Sequence, residues 1–275
     1  MGDISTAFVT QYSKEVKHAY QQVKPKIVSA TTVHRNVKGD TYSFPKLGKI
    51  TANARSARNA DITLITPDHT KVPVSLSDRY AQIALDDFDA LKSNVDYRKQ
   101  YVINTTAAIA REQDSMAVSA LDAATMEAGH TITATGGLTK AEILQAAKLL
   151  NLQDVAPENR YIVVSPAQLE DALNTTEVTS TDYNIANTMQ GLLTGELKSA
   201  FGFNWIISNE LSVATGVRSC YAFAKDAIGT AMGSDISTRI GWDERMQSHL
   251  ITSKTSLGVG IIDTFGVVKL EVTEA

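Results

Sequence analysis

Apolar residues near the start of the chain fall at steps of three and four. Ile4, Phe8, Tyr12, Val16, Ala19 and Val23 form one stripe, which predicts an amphipathic helix over 4–23. Asp3 is placed to cap its first turn, and Pro25 prevents continuation. A lone helix of this kind must bury its stripe against something else.

The period changes over residues 26–77. Ile27, Val28, Thr31, Thr32, Val33, Val37, Tyr42 and Phe44 are β-branched or aromatic, and Gly39-Asp40 is a turn signal. Ile62 and Leu64 alternate with polar residues, as do Val72, Val74 and Leu76. Pro67-Asp68-His69-Thr70 reads as the turn between those two runs. The stretch from Thr51 to Asn59 has almost no large apolar residue. Extended hairpins with a polar middle cannot form a core alone. Pro45, Lys46, Lys49 and Pro73 are types that discourage stray edge pairing. The segment reads as a projecting loop.

Val74 to Ala128 contains neither Gly nor Pro. Val95, Val102, Ile109, Met116 and Ala123 recur every seven residues, widened by Ile103, Ala110, Ala117 and Ala124. This predicts one helix of about thirty residues, roughly 50 Å long, begun near Asp86, Asp87 and Asp89 and ended by Gly129. Lys99, Thr106, Gln113 and Ala120 follow the stripe at four residues. They are too polar or too small for a coiled-coil seam, so the helix is expected to lie across a sheet.

Beyond Gly136-Gly137 the pattern mixes helix and strand. Thr139 and Glu142 form a capping box for a helix to about Asn151. Arg160–Val164 reads as a buried strand, and Ser165, Pro166 and Gln168 as the start of another helix. Residues 174–190 read as a polar surface loop. Strands are expected at 203–208, 221–224, 259–262 and 267–272.

Composition sharpens this picture. Apolar residues make up 43% of 275, enough for a packed core without metals or disulfides. The single cysteine, Cys220, fits a reducing compartment and reads as a small buried residue. No apolar run reaches the ~18 residues of a membrane span, and the N-terminus has no secretory signal pattern. Charge is uneven. Residues 1–60 hold ten Lys/Arg against three Asp/Glu, or +7, and the remainder sixteen against twenty-seven, or −11. Such a front end could bind nucleic acid, be a solvated face, or reach the acidic body of an identical neighbour.

Local signatures of chemistry are missing. No two of His18, His34, His69, His130 and His249 lie within four residues of each other or of the cysteine, so zinc spacing is absent. Gly258-Val259-Gly260 lacks the third glycine of a dinucleotide loop, and Gly48-Lys49 lacks the rest of a phosphate loop. The Asp86, Asp87, Asp89 cluster reads as a charged helix start before a metal or acid–base site. No catalytic residue, metal or cofactor is expected.

The order of these parts resembles the major capsid proteins of tailed bacteriophages, the Hong Kong 97-type fold family. The local resemblance lies in Gly39-Asp40-Thr41-Tyr42-Ser43-Phe44-Pro45-Lys46, in Asp86-Asp87-Phe88-Asp89 with Asp96-Tyr97-Arg98, and in Arg111-Glu112-Gln113-Asp114. It continues in Arg160-Tyr161-Ile162-Val163-Val164-Ser165-Pro166 and from Gly202-Phe203 through Ser208-Asn209. The resemblance implies an α+β fold. An N-terminal arm would span 1–33, an extended β-hairpin loop 34–78, a peripheral domain with a spine helix 79–132 and 226–275, and an axial domain 133–225.

It further implies a structural, non-enzymatic subunit that assembles in the host cytoplasm into hexamers and pentamers of a closed virion shell around double-stranded DNA. A separate scaffolding protein and a portal are expected, and no membrane. Phe8, Tyr12, Lys38, Lys46, Lys49, Arg55 and Arg58 are the interface candidates, with the basic front quarter docking on a neighbour's acidic body. An acidic body also suits a wall that must not grip the packaged DNA. Two alternatives are an encapsulin-like nanocompartment and a nucleic-acid-binding protein using the basic first 60 residues. Against the second, that segment has few exposed-looking aromatics for base stacking.

Overall fold

A computed structural model describes residues 21–55, 57–59, 61–62, 64–86, 97–174 and 199–274. Two sheets and a separate ribbon carry the strands. The first sheet has the order β1-β11-β12-β4, from β1 (Thr32–Arg35), β4 (Ser77–Asp86), β11 (Ile228–Asp243) and β12 (Ser248–Ile261). The second has the order β5-β13-β10-β6-β8-β7, with β9 added to β10. Its members are β5 (Thr131–Ala134), β6 (Arg160–Val164), β7 (Ser199–Ala200), β8 (Phe203–Ile207), β9 (Val213–Ala214), β10 (Val217–Ala224) and β13 (Val267–Thr273). The ribbon pairs β2 (Thr41–Leu47) with β3 (His69–Ser75). Three helices complete the chain: α1 (Tyr97–Ala123), α2 (Lys140–Leu152) and α3 (Pro166–Leu173).

The main core lies on the second sheet. Ile162, Val163 and Val164 of β6 and Tyr221, Ala222 and Phe223 of β10 are fully buried, with Leu138, Ile143 and Leu150 from around α2 and Leu121 from the end of α1. The capping box that starts α2 is formed: the Thr139 amide donates to Glu142, and the Ala141 amide donates to the Thr139 hydroxyl. α3 starts at Pro166 as expected. The Ser165 hydroxyl, however, donates to the Gln168 side chain and accepts no backbone amide.

α1 lies across the first sheet, and its contact with β12 is largely polar. Ser253 donates to Thr105 at 2.8 Å and shares a hydrogen bond with Thr238, while Gln113 donates to Thr255 at 2.9 Å. The helix ends at Ala123, six residues before Gly129. Gly129 instead takes a positive φ in the turn that precedes β5.

Several sequence expectations are corrected. The hairpin that was to turn at residues 67–70 does not form. His69 and Thr70 already belong to β3, which pairs with β2 in the register Leu47↔His69 to Thr41↔Ser75. Pairing with the aromatic strand buries Phe44 and Val74 together, which pairing with 62–64 could not do. Asp86 ends β4 and does not open the helix, while Asp87 and Asp89 lie outside the described residues. Of the predicted helix over 4–23, only Gln21, Gln22 and Val23 are described, and they are not helical. The predicted loop at 174–190 lies outside the described residues beyond Asn174.

Candidate subunit interface

The root of the ribbon is fixed by a notch of glycines. Gly39, at φ +104°, turns the chain into β2. Phe44 and Val74 then drop onto Ala231, both nearly fully buried. A Cβ at Gly229 would lie 2.6 Å from the Phe44 ring, one at Gly260 would lie 2.5 Å from a Val74 methyl, and one at Gly258 would run into the Ser75 carbonyl. Gly258-Val259-Gly260 is thus a seat for the ribbon. Tyr42 packs edge-on against Phe44 and stacks on His34, which closes the outer side.

Beyond this root the ribbon leaves the body. Leu47, Ile50, Ile62 and Leu64 are large apolar side chains in the open, Ile62 at 81% and Leu64 at 93% exposure. Polar ties cross back. Lys46 pairs with Asp263 at 3.0 Å and Lys49 with Asp154 at 3.9 Å, and Lys49 Nζ also donates to the Gln153 carbonyl at 3.4 Å. Between these ties lies a pocket of about 580 Å³, with Val155, Ala156, Ala227 and Phe265 on its body side. Of the other interface candidates, Lys38, Arg55 and Arg58 are exposed. Phe8 and Tyr12 lie outside the described residues.

A second attachment joins the end of the arm to α1. The buried Asp114 carboxylate accepts from the backbone amides of Lys26, Ile27 and Val28 at 2.7, 2.9 and 3.2 Å, and from the Gln22 side chain. Its helical neighbours hold other elements. Arg111 donates to Gln21, Glu112 pairs with Arg79 of β4, and Gln113 reaches Thr255 of β12. Four consecutive residues cover most of a turn's circumference, so they can face different directions at once. Sequence reasoning noted this run without assigning it any contact. The one available signal was a polar run inside an otherwise apolar helical stretch.

Elsewhere the polar clusters are structural in form. Arg218 makes a two-pronged pair with Glu274, which also accepts from Gln168 at 3.2 Å. The Arg218 bond holds the Glu274 carboxyl below the usual carboxylate range, with Gln168 adding to it. Burial pushes the Cys220 thiol up to about 12, so it stays protonated and packs as a small apolar residue. Burial and the Asp122 carboxylate both raise the Tyr221 phenol. Among the described residues no three His, Cys, Asp or Glu side chains are placed to hold a metal, and no helix is long and apolar enough to cross a membrane.

What this arrangement offers is attachment. The ribbon is rooted in the body and carries exposed apolar side chains beyond Leu47, and residues 26–28 are tied to α1 through Asp114. Known proteins agree. The family of phage capsid proteins matches residues 4–274 by sequence. No curated protein matches the chain closely enough to be named as a relative. Among solved structures, the capsid of cyanophage P-SCSP1u superposes with a TM-score of 0.78 at 17% identity, covering 100% of this chain and 96% of that one. The capsid of Ralstonia phage GP4 does so at 0.78 and 11%, covering 98% and 96%. The capsid of the native GTA particle gives 0.77 and 11%, covering 99% of each. At these identities the superpositions establish the fold, and the family match over almost the whole length establishes membership: this chain belongs to the phage capsid protein family.

Proposed function

We propose that this major capsid protein closes a tailed-phage shell by laying its arm and ribbon over adjoining copies. The observation that carries the reading is the ribbon beyond Leu47, where Ile50, Ile62 and Leu64 are 61%, 81% and 93% exposed. An exposed apolar strip on a two-stranded ribbon is a liability in a monomer and an anchor in an assembly. The basic residues around it, Lys38, Lys46, Lys49, Arg55 and Arg58, supply steering toward an acidic neighbour. Phe8 and Tyr12 are assigned to the same interface from their place in the arm.

The division into arm (1–33), extended loop (34–78), peripheral domain (79–132 with 226–275) and axial domain (133–225) is part of this proposal. β13 pairs with β10 in the second sheet, so the closing strand is a seam between the last two units. The reading further proposes hexamers and pentamers, assembly in the host cytoplasm, a role without catalysis, packaged double-stranded DNA inside, and a separate scaffolding protein and portal as partners.

Assembly of the purified protein across a salt series tests the electrostatic part. Single exposed pairs contribute only ~0–1 kcal/mol, but many repeated around a shell set rate and register. Shell yield should fall as ionic strength rises. Reversing Lys46, Lys49, Arg55 and Arg58 to Glu should leave a soluble monomer that does not assemble. A yield indifferent to salt, with shells still formed by the reversed variant, removes the proposal.

A further inference from the structure

The same lysines that would reach a neighbour are already engaged at home. Lys46 faces Asp263 and Lys49 faces Asp154 and the Gln153 carbonyl, all on the ribbon's own chain. Their surroundings differ sharply from those of the root. Phe44 and Val74 are held in a close-packed notch, where rotation would drive them into backbone. Past Leu47 the ribbon is separated from the body by the pocket of about 580 Å³. A void on one side of a contact forfeits the dispersion that a packed joint would have. What ties the ribbon across this gap is charge, between Lys49 and Asp154 at 77% and 90% exposure and between the half-buried Lys46 and Asp263 at 31% and 40%.

We infer that the ribbon is a strap with a rigid pivot at Phe44 and Val74 and two ionic clasps, Lys46–Asp263 and Lys49–Asp154, that hold it against its own body in the free subunit. Because the clasps use the cations needed between subunits, each chain carries its own competitor for assembly. Exposed pairs are weak and screened by salt, so the strap opens readily and closes again. A neighbour offering carboxylates together with apolar cover for Ile62 and Leu64 outcompetes two weak pairs. This second step rests on the shell-building reading above; the clasps themselves do not.

The test uses the full-length protein and Asp154→Asn with Asp263→Asn. Both changes keep the local backbone. Asp154 has a left-handed φ of 56°, which Asn also tolerates. The Asp263 side chain accepts from the Phe265 amide, and Asn caps equally well. Tryptic cleavage after Lys49, Arg55 and Arg58 is followed by mass spectrometry on the unassembled protein. In low salt the double variant should be cut roughly fourfold to twenty-five-fold faster than native, from about twofold to fivefold for each pair. Above about 0.5 M salt the two rates should converge. Equal rates in low salt, or a difference that survives high salt, overturn the strap.

In assembly the double variant should form shells faster than native at low salt; equal or slower formation overturns the competition. If Asp263→Asn fails to fold, Asp154→Asn alone decides the clasp by the same digestion. If neither protein forms shells even with its scaffolding protein supplied, the shell-building reading fails, while the digestion still decides the strap.

Discussion

Three backbone amides in the arm's root converge on one carboxylate, and this makes Asp114 the most exacting side chain in the molecule. Ile27 and Val28 are buried, so their N–H groups have no water to turn to. Each buried donor left without a partner costs about 1–3 kcal/mol. Asp114→Ala should therefore lower stability by about 3 kcal/mol, read as a shift in the urea midpoint of the unassembled protein. The two oxygens divide their duties. One serves Ile27 and Val28, and the other serves Lys26 and Gln22. Asp114→Asn keeps a single acceptor oxygen and should fall between native and Ala. A pair of variants that both melt like native would show that the arm root is held by its apolar contacts alone.

At the scale of elements, the glycine notch sets the ribbon's direction. Gly258→Ala should be the most damaging of the three alanine substitutions, because its Cβ meets the Ser75 backbone. A loss of roughly 1–3 kcal/mol is the scale of overpacking. Gly229→Ala meets the Phe44 ring first, at 2.6 Å, so trimming that ring should relieve it. The double variant Gly229→Ala, Phe44→Leu should recover part of the stability lost by the single change in thermal melts. Failure of the second change to restore anything would place the conflict elsewhere than at the ring.

The elements also show where the sequence could be read. Helices α2 and α3 announced themselves through Thr139, Glu142, Ser165 and Pro166, because capping is chemistry of adjacent residues. β6 and β13 were visible as apolar runs, since both lie deep in the main core. Of the long hairpin β11–β12 only the end of β12, within 259–262, was expected. Its inward positions include Thr230, Ser253 and Thr255, all buried yet polar. They face the hydroxyl of Thr31, just before β1, and a hydroxyl and an amide on α1, so alternation of apolar and polar residues vanished from the strand itself. β4 was hidden for a related reason: most of its residues are exposed or half-buried. The ribbon's existence was legible from its residue types, whereas its pairing was not. Register there depends on Phe44 and Val74 finding a notch made nearly two hundred residues later.

For the whole molecule, the question is whether the ribbon serves the subunit or the shell. Among the described residues, the main core contains none from the ribbon. Among the described residues, the buried ribbon side chains are Phe44 and Val74, and both lie on the root side of the Leu47↔His69 pair. Excising residues 48–68 and joining Leu47 to His69 through Asn-Gly should therefore leave an intact hairpin. The two-residue turn has the twist that antiparallel strands require. The shortened protein keeps the Lys46–Asp263 pair and loses the exposed Ile50, Ile62 and Leu64. It should melt within about 1 kcal/mol of native, the scale of removing exposed contacts. It should also remain a monomer by light scattering where the native protein forms shells. Shells of ordinary size from the shortened chain would mean that closure needs only the body and arm, and the ribbon would lose its place in assembly. A collapse of stability would instead mean that the ribbon completes its own fold, against the exposure of its apolar side chains.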